Sequence, residues 1–120
     1  MSKLIYIAGP YRSDSEIGVL ENIRAAEKIA ARIWSLGLYA LCPHKNSAFF
    51  GGITSDENFL QGGLEMLRRC DAVMVVSLKS YDGFVSSGTA LEIAEARKLN
   101  IPIFHRLVDL GVWLDGGFVC

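Results

Sequence analysis

A hydroxyl-rich turn that leads into a helix is the first segment of this chain that could do chemistry. Ser86, Ser87, Gly88 and Thr89 are followed within one turn by Glu92. Exposed N–H groups at a helix start, with hydroxyls beside them, can hold an anion such as a phosphate. The spacing Thr89-x-x-Glu92 is also a capping box, in which the carboxylate only satisfies backbone N–H groups. On these residues alone, capping is the favoured interpretation and a reactive carboxylate is the alternative.

A second candidate segment follows the first apolar run. Gly9, Tyr11 and Arg12 bring a glycine that allows close approach, an aromatic ring and a permanent cation within four residues. Together they could hold a phosphate or a planar base. The segment is neither a P-loop nor the three-glycine dinucleotide fingerprint. An ordinary turn with a solvated arginine explains it equally well.

A thiol and an imidazole lie close together after the second apolar run, where Cys42 and His44 flank a proline. A Cys/His catalyst would need such a pair in space. A buried structural cysteine is the favoured interpretation. A lone loop histidine is more often an ordinary surface residue, and a binding role for His44 is the alternative.

Short apolar runs that alternate with amphipathic segments must position these residues. Strands are predicted at residues 4–8, 38–42, 71–76 and 101–104. Helices are predicted between Ser13 and Gly37, with Ser13 and Glu16 as a capping box, and at residues 56–69, 90–99 and 107–114. Long loops are predicted at residues 44–58 and 77–85.

Strands that alternate with helices predict an α/β fold. We expect a doubly wound, flavodoxin- or Rossmann-like parallel sheet of four to five strands with helices on both faces. A chain of 120 residues has the length of one domain, 1–120. Ligands of such sheets bind beyond the carboxyl ends of the strands, which is where all three candidate segments fall.

Composition limits the partners of the chain. Lys and Arg number 12 against 13 for Asp and Glu, so no positive field favours a nucleic acid polymer or an anionic membrane. Cys42, Cys70 and Cys120 lack the close spacing of a disulfide framework or zinc site, which favours reduced thiols in a cytoplasm. The apolar run of residues 4–8 is too short for a signal peptide or membrane span. No spacing of ligands calls for a metal or another cofactor.

From Tyr6 to about Phe104 the chain resembles the nucleoside 2-deoxyribosyltransferase superfamily, especially its small phage and bacterial members and the 2'-deoxynucleoside 5'-phosphate N-hydrolases. Three ordered motifs carry the resemblance: Tyr-Ile-Ala-Gly-Pro-Tyr-Arg at 6–12, Arg-Cys-Asp-Ala-Val at 69–73 and Ser-Ser-Gly-Thr-Ala-Leu-Glu-Ile at 86–93. The resemblance implies a small nucleoside or nucleotide as ligand. It also implies a homodimer or larger assembly, in which the C-terminal segment often closes the neighbouring pocket.

The resemblance also assigns roles to residues. It makes Glu92 the nucleophile that attacks C1' of the sugar and forms a glycosyl-enzyme ester, and Tyr6 the residue that orients it. Gly9 and Arg12 match residues near the ligand, and His44 matches a histidine of the hydrolases. Ser86 matches a phosphate-binding serine, which implies a 5'-monophosphate substrate, because a carboxylate there would repel a phosphate.

One position departs from the family pattern. Relatives usually carry an aspartate eight residues before Asp71, where this chain has Gly63. General acid or base assistance supplies roughly 10²–10⁴-fold in rate, so its loss would be costly. The candidates to replace it are Asp56, Glu57, Glu65 and Asp82. The departure motivates a second hypothesis, a nucleotide-binding module without turnover. For Asp71 itself we expect a structural role at the start of a strand.

Overall fold

The computed structural model describes residues 3–76 and 87–116. Within these residues, one parallel sheet in the order β2-β1-β3-β4 contains β1 (Leu4–Ala8), β2 (Tyr39–Leu41), β3 (Ala72–Val75) and β4 (Ile103–Phe104). The helices are α1 (Glu16–Ser35), α2 (Pro43–Asn46), α3 (Asp56–Arg68), α4 (Ser87–Lys98) and α5 (Leu107–Leu114). The predicted doubly wound parallel sheet is confirmed. The predicted loop 77–85 lies outside the described residues.

Helices cover both faces of the sheet because its central strands are apolar on both sides. On one face, Ile5 and Ile7 of β1 pack in a core with α1 and α5. On the other face, Tyr6 and Ala8 pack in a core with Leu67 of α3 and with α4. Successive side chains of a strand point to opposite faces. Because Ile5 and Ile7 face α1 and α5, Tyr6 between them faces α3 and α4.

The sheet order leaves a crevice where β1 and β3 end. The connection after β1 leads to β2 on one side, while the chain after β3 leads to β4 on the other, and ligands bind at such switch points. The strand ends approach closely: the N–H of Val76 donates to the carbonyl of Ala8 at 2.7 Å. A Cβ at Gly9 would stand only 2.9 Å from the Cβ of Val76. This position therefore requires glycine.

The start of α1 differs from its prediction. Ser15 is the N-cap, and its hydroxyl accepts a hydrogen bond from the N–H of Gly18 at 3.0 Å. Glu16 is the first helical residue, so the capping box predicted for Ser13 and Glu16 is wrong: it assumed an N-cap two residues too early. At the other end, Gly37 adopts a φ of 80°, as expected for a glycine that stops a helix.

The segment predicted as one long loop, residues 44–58, is partly helical. Its first residues belong to α2, and its last three begin α3, where the Ser55 hydroxyl accepts from the N–H of Asn58 at 3.1 Å. In the described part of the chain, no helix is long and apolar enough to cross a membrane. The short helix α2 brings His44 under the loop that follows β1, where it contacts Pro10.

Asp71 joins the starts of two strands. Its side-chain Oδ2 accepts from the N–H of Leu4 at 2.8 Å, and its own N–H donates to the carbonyl of Leu4 at 2.8 Å. The carboxylate thereby satisfies a donor at the beginning of β1. These contacts agree with the structural role expected for Asp71.

Candidate active site

A cavity of about 640 Å³ opens at the carboxyl ends of the strands. Its walls come from the loop after β1, the start of α2, the inner face of α3 and the first turns of α4. This volume is within the usual range for a small-molecule site. The predicted site residues that line it are Tyr6, Gly9, Tyr11, Arg12, His44, Ser87, Gly88 and Glu92. The remaining one, Ser86, lies outside the described residues.

A hydrogen-bonded pair from two different elements lies at the inner end of the cavity. Tyr6 of β1 is only 1% exposed, and its hydroxyl donates to Oε2 of Glu92 on α4. Glu92 is partly exposed and lines the cavity. The pair therefore presents a carboxylate to the cavity from a fixed position.

Burial changes the ionisation of both partners. It raises the pKa of Glu92 to about 7, because the carboxylate loses hydration, while the hydrogen bond from Tyr6 acts in the opposite direction. Burial, followed by the charge of Glu92, raises the pKa of Tyr6 far above its ordinary value. Tyr6 therefore remains a neutral hydrogen-bond donor, and Glu92 changes charge near neutral pH.

The capping-box interpretation of Thr89 and Glu92 is wrong. An N-cap residue precedes the first helical residue, whereas α4 begins at Ser87, so Thr89 already lies inside the helix. Thr89 is 3% exposed and faces the protein interior beside the cavity. The helix begins earlier than the sequence spacing suggested, and the Glu92 side chain reaches Tyr6.

Gly63 lies directly beside this pair. A Cβ at Gly63 would be 3.1 Å from the hydroxyl oxygen of Tyr6 and 4.0 Å from Oε2 of Glu92. The position at which the family resemblance implies an aspartate thus faces the pair. Because this residue is glycine, α3 places no carboxyl group next to Glu92 at this position.

The acidic residues considered as replacements differ in their positions. Asp56 and Glu57, at the start of α3, line the cavity. Glu65 forms ion pairs with Arg68 and Arg69 and does not line it. Asp82 lies outside the described residues. Of those four, Asp56 and Glu57 are the ones that the described structure brings to the cavity.

An ion pair stands at the mouth of the cavity. Nη2 of Arg12 lies 2.8 Å from Oδ1 of Asp56, and the two side chains are 70% and 74% exposed. The side-chain amide of Asn22 on α1 donates to the carbonyls of Tyr11 and Arg12 at 3.1 and 3.2 Å. This contact holds the loop after β1 in place. Water screens the exposed ion pair, so an anionic ligand could compete for the guanidinium.

His44 is buried rather than on the surface, which corrects the surface interpretation of this histidine. It is 6% exposed because α2 turns it under the loop after β1, where Nε2 donates to the carbonyl of Pro10 at 2.9 Å. Burial lowers the pKa of His44, so the ring is neutral near pH 7. Among the described residues, its buried Nδ1 has no hydrogen-bond partner.

The thiol alternative finds no support in the arrangement of Cys42. Burial raises the pKa of Cys42, which is the reverse of what an activated thiol requires. Cys42 does not line the cavity, whereas His44 does. Its partly buried side chain packs instead against the core beneath α1.

Apolar residues of α3 form a wall of the cavity that the sequence reasoning missed. Phe59 and Leu60 line it together with Gly63, one and two turns after Asp56. Their spacing of i, i+3, i+4 and i+7 places all four on one helix face. That spacing was the sequence signal that could have predicted the apolar wall.

Within the described ranges, no cluster of three or more His, Cys, Asp and Glu side chains could hold a metal ion.

Comparisons with known proteins agree with this architecture. A family model described as "Domain of unknown function (DUF7768)" matches residues 3–106. No curated protein sequence matches the chain. Among solved structures, a 2-deoxyribosyltransferase from Bacillus psychrosaccharolyticus is 23% identical with a TM-score of 0.58, over 83% of this chain and 69% of that one. The two proteins share a fold.

A second solved structure is the 2-deoxyribosyltransferase from Leishmania mexicana. It is 28% identical with a TM-score of 0.49, and the match covers 84% of this chain. The chain spans 61% of the length of that enzyme.

Proposed function

The chain belongs to the DUF7768 family, and from its site we propose that it cleaves the N-glycosidic bond of a nucleoside or nucleotide, with Glu92 as nucleophile. The observation that carries the proposal is the hydrogen bond from buried Tyr6 to the Glu92 carboxylate inside a cavity of about 640 Å³. The fold shared with a 2-deoxyribosyltransferase from Bacillus psychrosaccharolyticus supports the same substrate class.

The reaction takes two steps. First, a Glu92 oxygen bonds to C1' of the sugar while the C1'–N bond breaks, and the electron pair leaves with the base, which takes up a proton from solvent water. Second, water or a nitrogen of another base attacks C1', the ester bond to Glu92 breaks and its electron pair returns to the carboxylate, and the attacking group releases its proton to solvent water. Both transition states resemble an oxocarbenium ion, which a fixed carboxylate stabilises.

Tyr6 is proposed to orient the nucleophile. Its hydroxyl donates to Oε2, and we assign the attack on C1' to Oε1. Because burial keeps the pKa of Tyr6 high, the hydroxyl holds its proton throughout the reaction. A donor that keeps one geometry spares the carboxylate the cost of reorienting during the reaction.

The substrate is proposed to be a 5'-monophosphate. Arg12 lines the cavity together with Ser87 and Gly88 at the N-terminus of the 12-residue helix α4. A guanidinium and a helix N-terminus that line the same cavity can each attract a phosphate. The phosphate would replace Asp56 as the partner of Arg12, and the base would lie against the apolar wall of Phe59 and Leu60.

A nucleotide-binding module without turnover is the second candidate, and Gly63 is the observation that favours it. No side chain at this position can assist the leaving base. The two acidic residues of α3 that line the cavity already have partners: Asp56 pairs with Arg12, and Glu57 accepts from the Gln61 amide at 3.0 Å. Such a module would bind the same ligands and release no base.

One panel of substrates separates these functions. The protein is incubated with deoxynucleoside 5'-monophosphates and unphosphorylated nucleosides, with and without a free acceptor base, and the products are separated by chromatography. Free base with sugar phosphate identifies a hydrolase, and a new nucleoside identifies a transferase. Measurable binding with no product supports the module and contradicts the proposed reaction.

We further propose a cytoplasmic homodimer or larger assembly. Phe49 and Ile53 are 71% and 77% exposed, on the segment that contributes Gly51 to the cavity. Phe50 beside them is 48% exposed, and apolar side chains exposed together in one segment are typical of contact surfaces. Sedimentation velocity at micromolar concentration measures the assembly, and a monomer at all concentrations would contradict it.

A further inference from the structure

The flank of the Tyr6–Glu92 pair is open at one position, Gly63. The inner face of α3 carries side chains at Asp56, Phe59 and Leu60, but the next residue on that face has none. A single carbon atom added there would lie 3.1 Å from the Tyr6 oxygen and 4.0 Å from Oε2 of Glu92. A side chain at this position would crowd Tyr6, and because Gly63 lines the cavity, the glycine leaves that volume to the cavity beside the pair.

A helix interior is an unfavourable place for glycine, because the residue loses more backbone freedom than any other when it becomes ordered. The neighbouring Gly62 is exposed, a Cβ added to it would have nothing within 4 Å, and the structure does not explain this glycine. Gly63, in contrast, is buried against the pair. Because Gly63 has no side chain, a substrate group can occupy the part of the cavity next to it.

Sugar stereochemistry determines which substrate group needs this space. A nucleophile that displaces the base must approach C1' from the face opposite to the base. In a ribonucleoside the 2'-hydroxyl lies on that same face, on the carbon next to C1'. The extra oxygen of a ribose therefore stands beside the attacking carboxylate, where a 2'-deoxyribose has only hydrogen.

We infer that the site accepts ribonucleotides as well as 2'-deoxyribonucleotides, and that Gly63 determines this specificity by leaving room for the 2'-hydroxyl. The inference rests on the proposed function, because it places C1' next to Glu92. The Tyr6 oxygen keeps lone pairs that can accept a hydrogen bond from the added hydroxyl. Gly63 itself acts only through the space that it leaves.

Matched pairs of ribo- and deoxyribonucleoside 5'-monophosphates with the same base test the inference. The measured quantity is the ratio of kcat/KM for the ribo substrate to kcat/KM for the deoxy substrate, from the release of free base. The variants are Gly63→Ala and, as a matched control on the solvent side of the same helix, Gly62→Ala. The ratio cancels any general effect of a methyl group on Tyr6.

The wild-type protein is expected to release base from both sugars. Gly63→Ala is expected to lower the ratio about 10-fold or more, since one carbon in a tight pocket discriminates by roughly 10–200-fold, while Gly62→Ala leaves the ratio unchanged. Release from the deoxy substrate alone, or an equal loss for both sugars in Gly63→Ala, would overturn the inference.

Binding separates this inference from the proposed function. If neither sugar yields free base, the proposed reaction fails, and calorimetry then compares the Kd values of the same ribo and deoxy monophosphates. If Gly63→Ala weakens ribonucleotide binding at least about 10-fold and does not weaken deoxyribonucleotide binding to match, Gly63 still determines the sugar specificity of the site. Equal weakening for both sugars, or no ribonucleotide binding by the wild type, overturns it.

Discussion

The hydroxyl of Tyr6 donates a hydrogen bond to the carboxylate of Glu92, from a residue 86 positions earlier in the chain. One partner lies on central strand β1 and the other on helix α4, so the sheet and its covering helix together determine their separation. The bond joins a donor that stays neutral to a carboxylate that titrates near neutral pH.

Glu92→Gln is expected to reduce base release by at least about 10³-fold, because an amide oxygen cannot form the glycosyl ester, and loss of a nucleophile costs this much or more. Initial rates measure the loss. Glu95→Gln is the matched control, since Glu95 lies on the same helix, pairs with Arg68 and does not line the cavity. If Glu92→Gln kept the wild-type rate, Glu92 would not be the nucleophile.

The pH dependence of kcat/KM is expected to rise through about pH 7, where Glu92 ionises, and to level off above. In Tyr6→Phe the carboxylate loses a hydrogen bond that stabilises its charged form, so its pKa rises. The ascending limb should then move to higher pH by roughly one unit. Tyr39→Phe, at an exposed tyrosine of β2, is the control. A limb that stays in place in Tyr6→Phe contradicts the assigned contact.

Stability should depend on pH through Glu92. Its pKa rises from 4.5 in the unfolded chain to about 7 in the folded protein, so the folded state binds the proton more tightly between these values. The free energy of unfolding therefore falls as the pH rises from about 4.5 to 7. Glu92→Gln removes this loss, so its free energy of unfolding should exceed that of the wild type by up to roughly 3 kcal/mol at pH 8.

Urea denaturation at pH 4.5 and pH 8 measures this difference. The wild type and Glu92→Gln should differ little at the lower pH, because Glu92 is protonated in the folded wild type there. His44 and the other titrating groups are common to both proteins, so the difference isolates Glu92. A gap of the same size at both pH values would show that Glu92 does not titrate with a raised pKa.

Arg12→Ala is expected to raise the KM of a nucleoside 5'-monophosphate about 10-fold or more, since a hydrogen bond to a charged group contributes roughly 1.5–3 kcal/mol. The KM of the unphosphorylated nucleoside should change little. Asp56→Asn should have the opposite effect and lower the phosphate-dependent KM, because it releases the Arg12 guanidinium from its ion pair.

The control for Arg12→Ala is Arg106→Ala. Arg106 has the same side-chain exposure of 70% and a similar ion pair, with Asp109, but it does not line the cavity. Steady-state kinetics on both substrates compare the variants. A rise in KM that is equal with and without the phosphate would remove Arg12 from phosphate binding.

Asp71→Ala is expected to destabilise the fold by about 1–2 kcal/mol and to leave KM unchanged. The substitution removes the acceptor for the N–H of Leu4 at the start of β1, and neither Leu4 nor Asp71 lines the cavity. Asp71→Asn keeps an acceptor oxygen and should lose less. Thermal unfolding and KM on the same samples check both statements, and a raised KM in correctly folded Asp71→Ala would assign Asp71 to the site instead.

Local patterns in the sequence predict most of the elements. β1 and α5 have the predicted bounds, because a continuous apolar run before Gly9 and an apolar periodicity after Arg106 depend only on neighbouring residues. The helix starts are less predictable. Ser13 and Ser15 both offer a capping hydroxyl, and which of them caps α1 depends on where the loop after β1 enters the helix.

By itself the sequence determined the alternation of strands and helices, the parallel sheet, and the identity of the groups that could do chemistry, through the resemblance of its motifs to a known family. The tertiary structure decided between the two interpretations of Glu92, which meets Tyr6, as the resemblance implies, instead of capping α4. It alone decided that His44 is buried and that Gly63 flanks the pair. The physical reason is the distance along the sequence between the residues that come into contact. Periodicity and spacing describe contacts within one element, whereas these three outcomes depend on which faces of β1, α2, α3 and α4 pack together around the end of the sheet.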